Sequence, residues 1–564
     1  MDGTMLKPAK GRPPSLWDSC WSAVQSLRPA FSRHVSFMWF ATVVVGLMVR
    51  PELHGVTSLI RALNLRPNLY DPLRKHFHSD AIKLDRLAAL WAQAVLRLFP
   101  SPVRVNGRLV MVGDGIKVPK RGKKMPAVKL LHQQSNCSTK PEYIMGHSLQ
   151  AVALLVNAAS SFFAVPLAVR IHEGLVWSNR DKRTLLDKML GLIQTLTITD
   201  PIYFVADAYY AAGKIVNGLL KQGNHLVSRV RSNAVAYLPA QPQKGPRKRG
   251  RPKLYGKKIR LKSLLSDVKS MEELVSPVYG ERDVKIRYRV CDLLWRPVGQ
   301  LVRFVVVVHP SRGACLLMST DLSLGAADII RIYGLRFKIE HMFKQAVGLI
   351  GTFAYHFWMM DMTPLRYRNG NQHLHRQSDH YRKQIRRKIH AYHVFMQAGA
   401  ITQGLLHYLS VVFPKLVWDS FGSWLRTVRP GIAPSEFVVG NVMRQTLPDF
   451  LLNCAKSNSL AEFIANRQDT DSMRNLPPSF IGEKFAFPRQ ISSGFCHIDW
   501  WKEQPSALQN GGEQAENLSL LSDLTCITYS RTLSNDDFWH FCDRPTSSSN
   551  VSFSRHRPED ICSN

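Results

Sequence analysis

The sequence predicts an α/β fold in which a strand-rich core is flanked by helical regions. Two short apolar runs, Leu109–Val118 and Pro201–Tyr210, have the composition of strands buried on both faces. Strand-like and helical segments alternate between and after them as far as Val230. Apolar residues at helical spacing dominate Ala81–Leu98 near the start and Ile389–Phe413 near the end. This order favours a core of strands and helices between two helical flanks.

The chain divides into six predicted segments. They are a helical N-terminal region (1–102), the first part of the core (103–240), a basic and β-rich insertion (241–311), the second part of the core (312–352), a helical and basic C-terminal region (353–466) and a tail (467–564). The tail is rich in Ser, Asn and Pro and shows no periodicity, which is typical of weakly ordered chain.

Each of the two apolar runs carries an aspartate at a corresponding place, Asp114 in the first and Asp207 in the second. A carboxylate beside a buried strand is costly unless it is paired or binds a metal ion. An alternative is that both are ordinary strand-end aspartates in turns. If a third carboxylate joins them, the set has the hard oxygen ligands that divalent cations prefer.

A helix predicted over Asp328–Ile350 supplies that third carboxylate. Its apolar residues recur at steps of three and four, and Tyr333, Arg336, Glu340 and Lys344 recur at the same steps on another face. Taken alone, the pattern also fits an amphipathic helix with a surface ion pair between Arg336 and Glu340.

These segments together resemble the DDE transposases of bacterial insertion sequences. The branch with a Y-x2-R-x3-E-x6-K signature is the nearest, and Tyr333, Arg336 and Glu340 match its spacing. Val347 stands where the signature has lysine, so Lys344 is the candidate substitute. The resemblance implies that Tyr333, Arg336 and Lys344 bind DNA by orienting a phosphate beside the metal ions. The resemblance implies an RNase H-like core interrupted by a β-rich insertion. It also implies that Asp114, Asp207 and Glu340 are catalytic and hold Mg²⁺, for which Mn²⁺ can substitute.

Composition indicates a polyanionic partner, because the formal net charge is +34. Nucleic acid is the commonest such partner, and a membrane surface is the alternative. Nine widely spaced Cys without a C-x-x-C pair argue against a disulfide framework. The apolar stretch Val35–Val49 is too short to span a bilayer, and the N-terminus lacks a signal-peptide core. A cytoplasmic, nucleoid-associated protein without a membrane partner is therefore expected.

Three segments are candidate DNA contacts. The loop after the first aspartate carries Lys120, Arg121, Lys123 and Lys124, which suit a phosphate backbone or are simply a flexible loop. Arg249 and Arg251 belong to an Arg-Gly-Arg-Pro sequence of AT-hook type, although general backbone contact is favoured. In the resembled branch the insertion supplies a Trp that stacks on a flipped base. Trp295 is the candidate here, and a buried sheet residue is its alternative.

The resemblance implies a metal-dependent transposase that cleaves and transfers insertion-sequence ends by cut-and-paste. Its partners would be double-stranded DNA, namely terminal inverted repeats and target DNA, and a second copy of the chain in a synaptic homodimer. Two alternatives stay open. One is an RNase H-like nuclease that does not transpose, and the other is an inactive element that only binds DNA.

Overall fold

The computed structural model describes residues 15–53, 55–133, 141–159, 161–241, 252–267, 270–278, 280–422 and 427–469. Arg249, Arg251 and the tail beyond residue 469 lie outside these ranges, so the predictions made for them stay untested. The described residues up to Gln468 belong to one compact unit.

The N-terminal region contains helices in its described residues. Its helices are α1 (Leu16–Gln25), α2 (His34–Val49), α3 (Thr57–Ala62), α4 (Tyr70–Phe77) and α5 (Leu84–Leu98). The apolar stretch predicted to be too short for a bilayer is α2, which is buried all round from Phe37 to Val49. Among the described helices, none combines the length and apolarity needed to cross a membrane.

Thirteen of the described strands form one mixed sheet. The strands of the first core segment are β1 (Arg104–Val105), β2 (Arg108–Pro119), β3 (Lys129–His132), β4 (Tyr143–Ala158), β5 (Ser161–Ile171), β6 (Leu175–Val176), β7 (Ile202–Ala206), β8 (His225–Arg229) and β9 (Val235–Pro239). Within the sheet, β2 lies between β4, to which it is antiparallel, and β7, to which it is parallel. Helices α6 (Leu185–Thr195) and α7 (Gly213–Leu220) flank β7 in sequence.

The predicted insertion extends this sheet. Its strands are β10 (Tyr255–Arg260), β11 (Glu272–Val275), β12 (Lys285–Trp295) and β13 (Gln300–His309), and β14 (Gly313–Ser319) follows. β13 pairs with β14, and β14 pairs with β8 of the core. The sheet therefore runs from β10 through β14 into β8, β7, β2 and β4 without a break.

The predicted helix over Asp328–Ile350 is divided in the structure. It consists of α8 (Ala326–Leu335), a turn at Arg336 and Phe337, α9 (Lys338–Gln345) and a π-helical turn over Ala346–Ile350. The chain ends this run at Gly351, which has a positive φ of 67°.

The C-terminal region packs on the core. After the two-residue strand β15 (Gln372–His373) its described helices are α10 (Asp379–Val412), α11 (Pro414–Ser420), α12 (Glu436–Cys454) and α13 (Ser459–Ala465). One hydrophobic cluster includes residues from Leu16 to Ile464. The division into six segments stays a prediction.

Candidate active site

The parallel pairing of β2 and β7 places the two predicted aspartates side by side. Val112 is the register partner of Val205, and each aspartate lies two residues further along its strand. Because side chains two residues apart point to the same face, Asp114 and Asp207 lie next to each other at the same edge. The carboxyl ends of neighbouring parallel strands are the usual position for a site in α/β proteins.

A glycine makes this close strand packing possible. A Cβ atom on Gly113 would lie 2.4 Å from ring carbons of Phe204 on β7, so no larger residue fits there without movement. The backbone then fixes both carboxylates. The amide of Gly115 donates to Oδ1 of Asp114 at 2.7 Å, and the amide of Tyr209 donates to Oδ1 of Asp207 at 3.1 Å.

The two carboxylates are energetically strained as a pair of like charges. The pKa of Asp114 is raised to about 6, because burial, the largest cause, and the negative charge of Asp207 together outweigh the lowering effect of Arg336. Burial likewise raises the pKa of Asp207, against a lowering effect of Arg336. Two neighbouring carboxylates with raised pKa values are the arrangement that a bound cation relieves.

In the structure, the positive charge next to these carboxylates is the guanidinium group of Arg336. Its Nη1 donates to Oδ2 of Asp114 at 2.8 Å, and its Nη2 donates to Oε1 of Glu340 one turn later. Its Nε is buried and has no hydrogen-bond partner within the described part of the chain. Burial opposes the positive charge on Arg336, but Asp114 and Glu340 outweigh it and raise the pKa of the guanidinium above its usual value.

A residue from the N-terminal region holds the end of this helical run. Arg50 is buried, and its Nη2 donates to the carbonyls of Ile350 at 2.7 Å and Gly351 at 3.1 Å. These carbonyls have no partner of their own at a helix C-terminus, where a cation is also favoured. Arg50 therefore fixes the position of α9 and, with it, of Glu340.

A metal ion fits this site in part. Asp114 and Asp207 supply adjacent carboxylate oxygens, which are the hard ligands that Mg²⁺ prefers. Glu340, however, is exposed and turned to Arg336. No three His, Cys, Asp or Glu side chains converge as metal ligands in the described residues. Full coordination by all three carboxylates therefore requires Arg336 to leave Asp114 and Glu340.

The predicted phosphate ligands on the helix differ in exposure. Tyr333 is buried on α8, where burial raises the pKa of its phenol. Lys344 is exposed on α9, one turn after Glu340, and Val347 is exposed in the π-helical turn. Lys344 and Glu340 therefore belong to the same accessible face, whereas Tyr333 supports the helix from inside.

The basic side chains of the loop after β2 differ in exposure, because some are buried and others lie on the surface. Lys120 is only 7% exposed. Its Nζ donates to the carbonyl of Tyr355 at 3.2 Å and to that of Phe353, and it lies 3.9 Å from the centroid of the Tyr355 ring. The ammonium group of Lys120 is therefore used in hydrogen bonds inside the protein. It does not reach a DNA phosphate in this arrangement, which differs from the role predicted for it from the sequence. Arg121 and Lys123 are exposed.

Trp295 lies at the end of β12, opposite Gln300, and is buried. A buried indole ring is not accessible for stacking on a base. The position of Trp295 therefore matches the alternative considered for it, a buried residue of the sheet.

An exposed loop that follows the π-helical turn, which we call the aromatic loop (residues 353–371), carries several aromatic and Met side chains. Trp358, Met360 and Tyr367 are 63%, 85% and 75% exposed. The loop is joined to the basic loop, because Met359 N donates to the carbonyl of Lys124 at 3.0 Å and the Lys124 Nζ donates to the carbonyl of Met360 at 2.7 Å. In the sequence, the signal for a functional role of this loop is the proximity of its aromatic residues to a run of Lys and Arg.

Sequence reasoning also missed a relay that begins beside the aspartates. Tyr210 follows Asp207 and accepts a hydrogen bond from Gln150 Nε2 at 2.8 Å. Oε1 of Gln150 in turn lies 2.6 Å from Nδ1 of His172. No local pattern connects these three residues, because each lies on a different strand or loop.

Comparison with known proteins agrees with this geometry. Residues 26–292 match a protein family described as DDE superfamily endonuclease. The matched range contains both aspartates and ends before Glu340. The match supports a DDE-type nuclease or transposase, whose substrate class is DNA and whose members generally use divalent metal ions. No curated protein matches the chain.

Proposed function

We propose that this protein is a DDE transposase that cleaves and transfers the ends of an insertion sequence by cut-and-paste. The observation that carries the proposal is the position of Asp114 and Asp207 just beyond the parallel pairing of β2 and β7, with Arg336 bonded to Asp114 and to Glu340. The signature-like spacing of Tyr333, Arg336 and Glu340 favours the transposase branch over other DDE nucleases.

Asp114 and Asp207 would hold Mg²⁺, or Mn²⁺ in its place, with Glu340 as the third ligand. The bound ions would supply activation of a water or 3′-hydroxyl and stabilisation of the leaving oxygen. Asp114 and Asp207 must be ionised for this role. Because the pKa of Asp114 is raised to about 6 by burial, metal binding is expected to weaken as the pH falls below that value.

Arg336 has two possible partners in this proposal. Without DNA, its guanidinium bridges Asp114 and Glu340. A DNA phosphate offers the same bidentate acceptor geometry as a carboxylate. Arg336 would therefore turn to the phosphate next to the scissile bond and release Glu340 to the metal site, so that the complete site forms only with DNA present.

The surface around the site suits a DNA strand. Arg121, Lys123 and Lys344 offer positive charge near the helix and the basic loop. Trp358 and Tyr367 in the aromatic loop offer exposed rings for unpaired bases. Synapsis of two DNA ends would be served by a homodimer.

The test is nicking of DNA that carries the flanks of the gene. The full-length protein is compared with Asp207→Asn and with Asp449→Asn, a matched control on the exposed face of α12. We expect Mg²⁺-dependent nicking at the repeat boundary for the wild type and Asp449→Asn only, followed by joining to target DNA.

Each departure from that result has a definite meaning. Nicking without joining would identify a nuclease that does not transpose. Binding without nicking, in Mg²⁺ or Mn²⁺, would leave a DNA-binding protein. Equal nicking by Asp207→Asn would show that the metal ligands are wrongly assigned.

A further inference from the structure

A cavity of about 770 Å³ lies away from the paired aspartates, between the start of α5, the end of β5 and the helix α10. Its polar lining includes Asp80, Asp85, Arg170, His172, His390 and His393. A cavity of this volume holds a ligand of nucleotide size.

A buried arginine, Arg170, lines this cavity. Arg170 is only 6% exposed, and its Nη1 donates to the carbonyl of Val169 at 2.9 Å and to Oε1 of Gln397 at 3.0 Å. Its Nη2 has no hydrogen-bond partner within the described residues. It is ion-paired with the exposed carboxylate of Asp85, whose Oδ1 lies 3.6 Å away. This long contact leaves the hydrogen-bonding capacity of the buried donor incomplete, and an anion in the cavity would complete it.

Two other sources of hydrogen-bond donors line the same cavity, one a side chain and the other the backbone of a helix. Nε2 of His393 accepts a hydrogen bond from the amide of Ile171 at 3.0 Å, so the neutral ring carries its proton on Nδ1 and can donate from there. The helix α5 begins after Lys83 without a side-chain cap, which leaves amide groups of its first turn available.

The electrostatic surroundings also favour an anion. Burial, followed by the nearby Lys188 and Arg170, lowers the pKa of His172 to about 3. Burial and Arg170 lower the pKa of His393 well below its usual value. Two carboxylates, Asp80 and Asp85, oppose this field, but the Asp85 side chain is 81% exposed and therefore strongly screened.

The cavity lies close to the paired aspartates in the sheet. Arg170 is the register partner of Gln150, which is the partner of Gly115, the residue after Asp114. Because adjacent strands are about 4.8 Å apart, the backbone of Arg170 lies roughly 10 Å from that of Gly115. The hydrogen-bonded relay from His172 through Gln150 to Tyr210 connects the two places.

From these contacts we infer that the cavity is a binding site for the phosphate of a nucleotide unit, held by Arg170 Nη2, His393 Nδ1 and the start of α5. A DNA strand and a free nucleotide both supply such a phosphate, and only the choice of DNA rests on the function proposed above. The site is separate from the proposed metal-binding carboxylates, because the register places Arg170 two strands from β2 and, with Gly115, on the face of the sheet opposite to Asp114.

The test is calorimetric titration of the full-length protein, in EDTA, with inorganic phosphate, deoxyadenosine monophosphate and a short oligodeoxynucleotide. Asp85→Asn removes the exposed carboxylate that is ion-paired with Arg170 and that repels an anion, so we expect phosphate to bind about five-fold more tightly. The control Asp449→Asn makes the same charge change on α12 and should leave the affinity unchanged. Arg170→Gln should weaken binding about ten-fold or more, and thermal melting checks that this variant is folded.

Equal affinities of Asp85→Asn and Asp449→Asn would overturn the inference, whatever Arg170→Gln does. Displacement of the monophosphate by the oligodeoxynucleotide would support the site and assign it to DNA. Binding of the monophosphate without such displacement would support the site and assign it to a free nucleotide. Because the titration contains no divalent metal, failure of Mg²⁺-dependent nicking would overturn the proposed function and leave this result standing.

Discussion

Replacement of the bridging arginine, Arg336→Met, tests how the carboxylates are held. The variant leaves Asp114 largely buried beside Asp207 without its counter-charge, and loss of one partner of such a pair costs about 3 kcal/mol of unfolding free energy. The control is Arg331→Met on α8, whose ion pair with Asp328 is about 40% exposed on both sides. An exposed pair of this kind contributes less than about 1 kcal/mol.

The pH dependence of this loss follows from the pKa of Asp114. Its folded pKa, about 6, lies above the ordinary value of 3.8, so the folded protein holds a proton that the unfolded chain has released. The free energy of unfolding therefore falls as the pH rises from about 4 to the folded pKa. Without Arg336 that pKa rises, and the fall extends to higher pH. The difference between variant and wild type should be small at about pH 5 and complete at about pH 8.

Urea denaturation at both pH values, with EDTA or millimolar Mg²⁺, measures these differences. Mg²⁺ should stabilise Arg336→Met more than the wild type, because the ion no longer competes with the guanidinium for Asp114. A loss no greater than that of Arg331→Met at high pH would refute the bridging role. An unchanged Mg²⁺ response would refute the competition between Arg336 and the metal.

Three further predictions concern residues outside that bridge. Trp358→Ala should weaken binding of single-stranded DNA about ten-fold, the loss of one stacked base, as measured by fluorescence anisotropy. Burial lowers the pKa of Lys120 to about 7 from 10.5, so unfolding takes up a proton and its free energy should rise by up to about 1.4 kcal/mol per pH unit between those values. Lys120→Met should lack that rise in urea titrations. Gly113→Ala should lower the free energy of unfolding by about 1–3 kcal/mol, because its Cβ would meet the Phe204 ring.

Each of these predictions has a matched control. Tyr143→Ala removes another exposed ring and should leave the DNA affinity unchanged. Lys123→Met removes an exposed lysine of the same loop and should keep the wild-type pH slope. Gly191→Ala lies in α6 with open space around it and should not destabilise the protein. If variant and control behave alike in any pair, the corresponding local argument fails.

The sequence by itself determined the features that depend on neighbouring residues. The buried strands β2 and β7 follow from short apolar runs, and α6 follows from its periodicity and from the capping box of Thr184 and Asp187. The spacing of Arg336 and Glu340 predicted their ion pair, because residues four apart meet on one helix face.

Only the tertiary structure decided which of these elements meet. Periodicity shows which face of a strand is buried but not which strand lies beside it, so the adjacency of Asp114 and Asp207 required the parallel register of β2 and β7. The bridge from Arg336 to Asp114 depends on where α9 is placed. Lys120 was a candidate for a DNA surface and is buried, and Trp295 is buried as its alternative had it, because the charge or size of a side chain does not reveal what covers it.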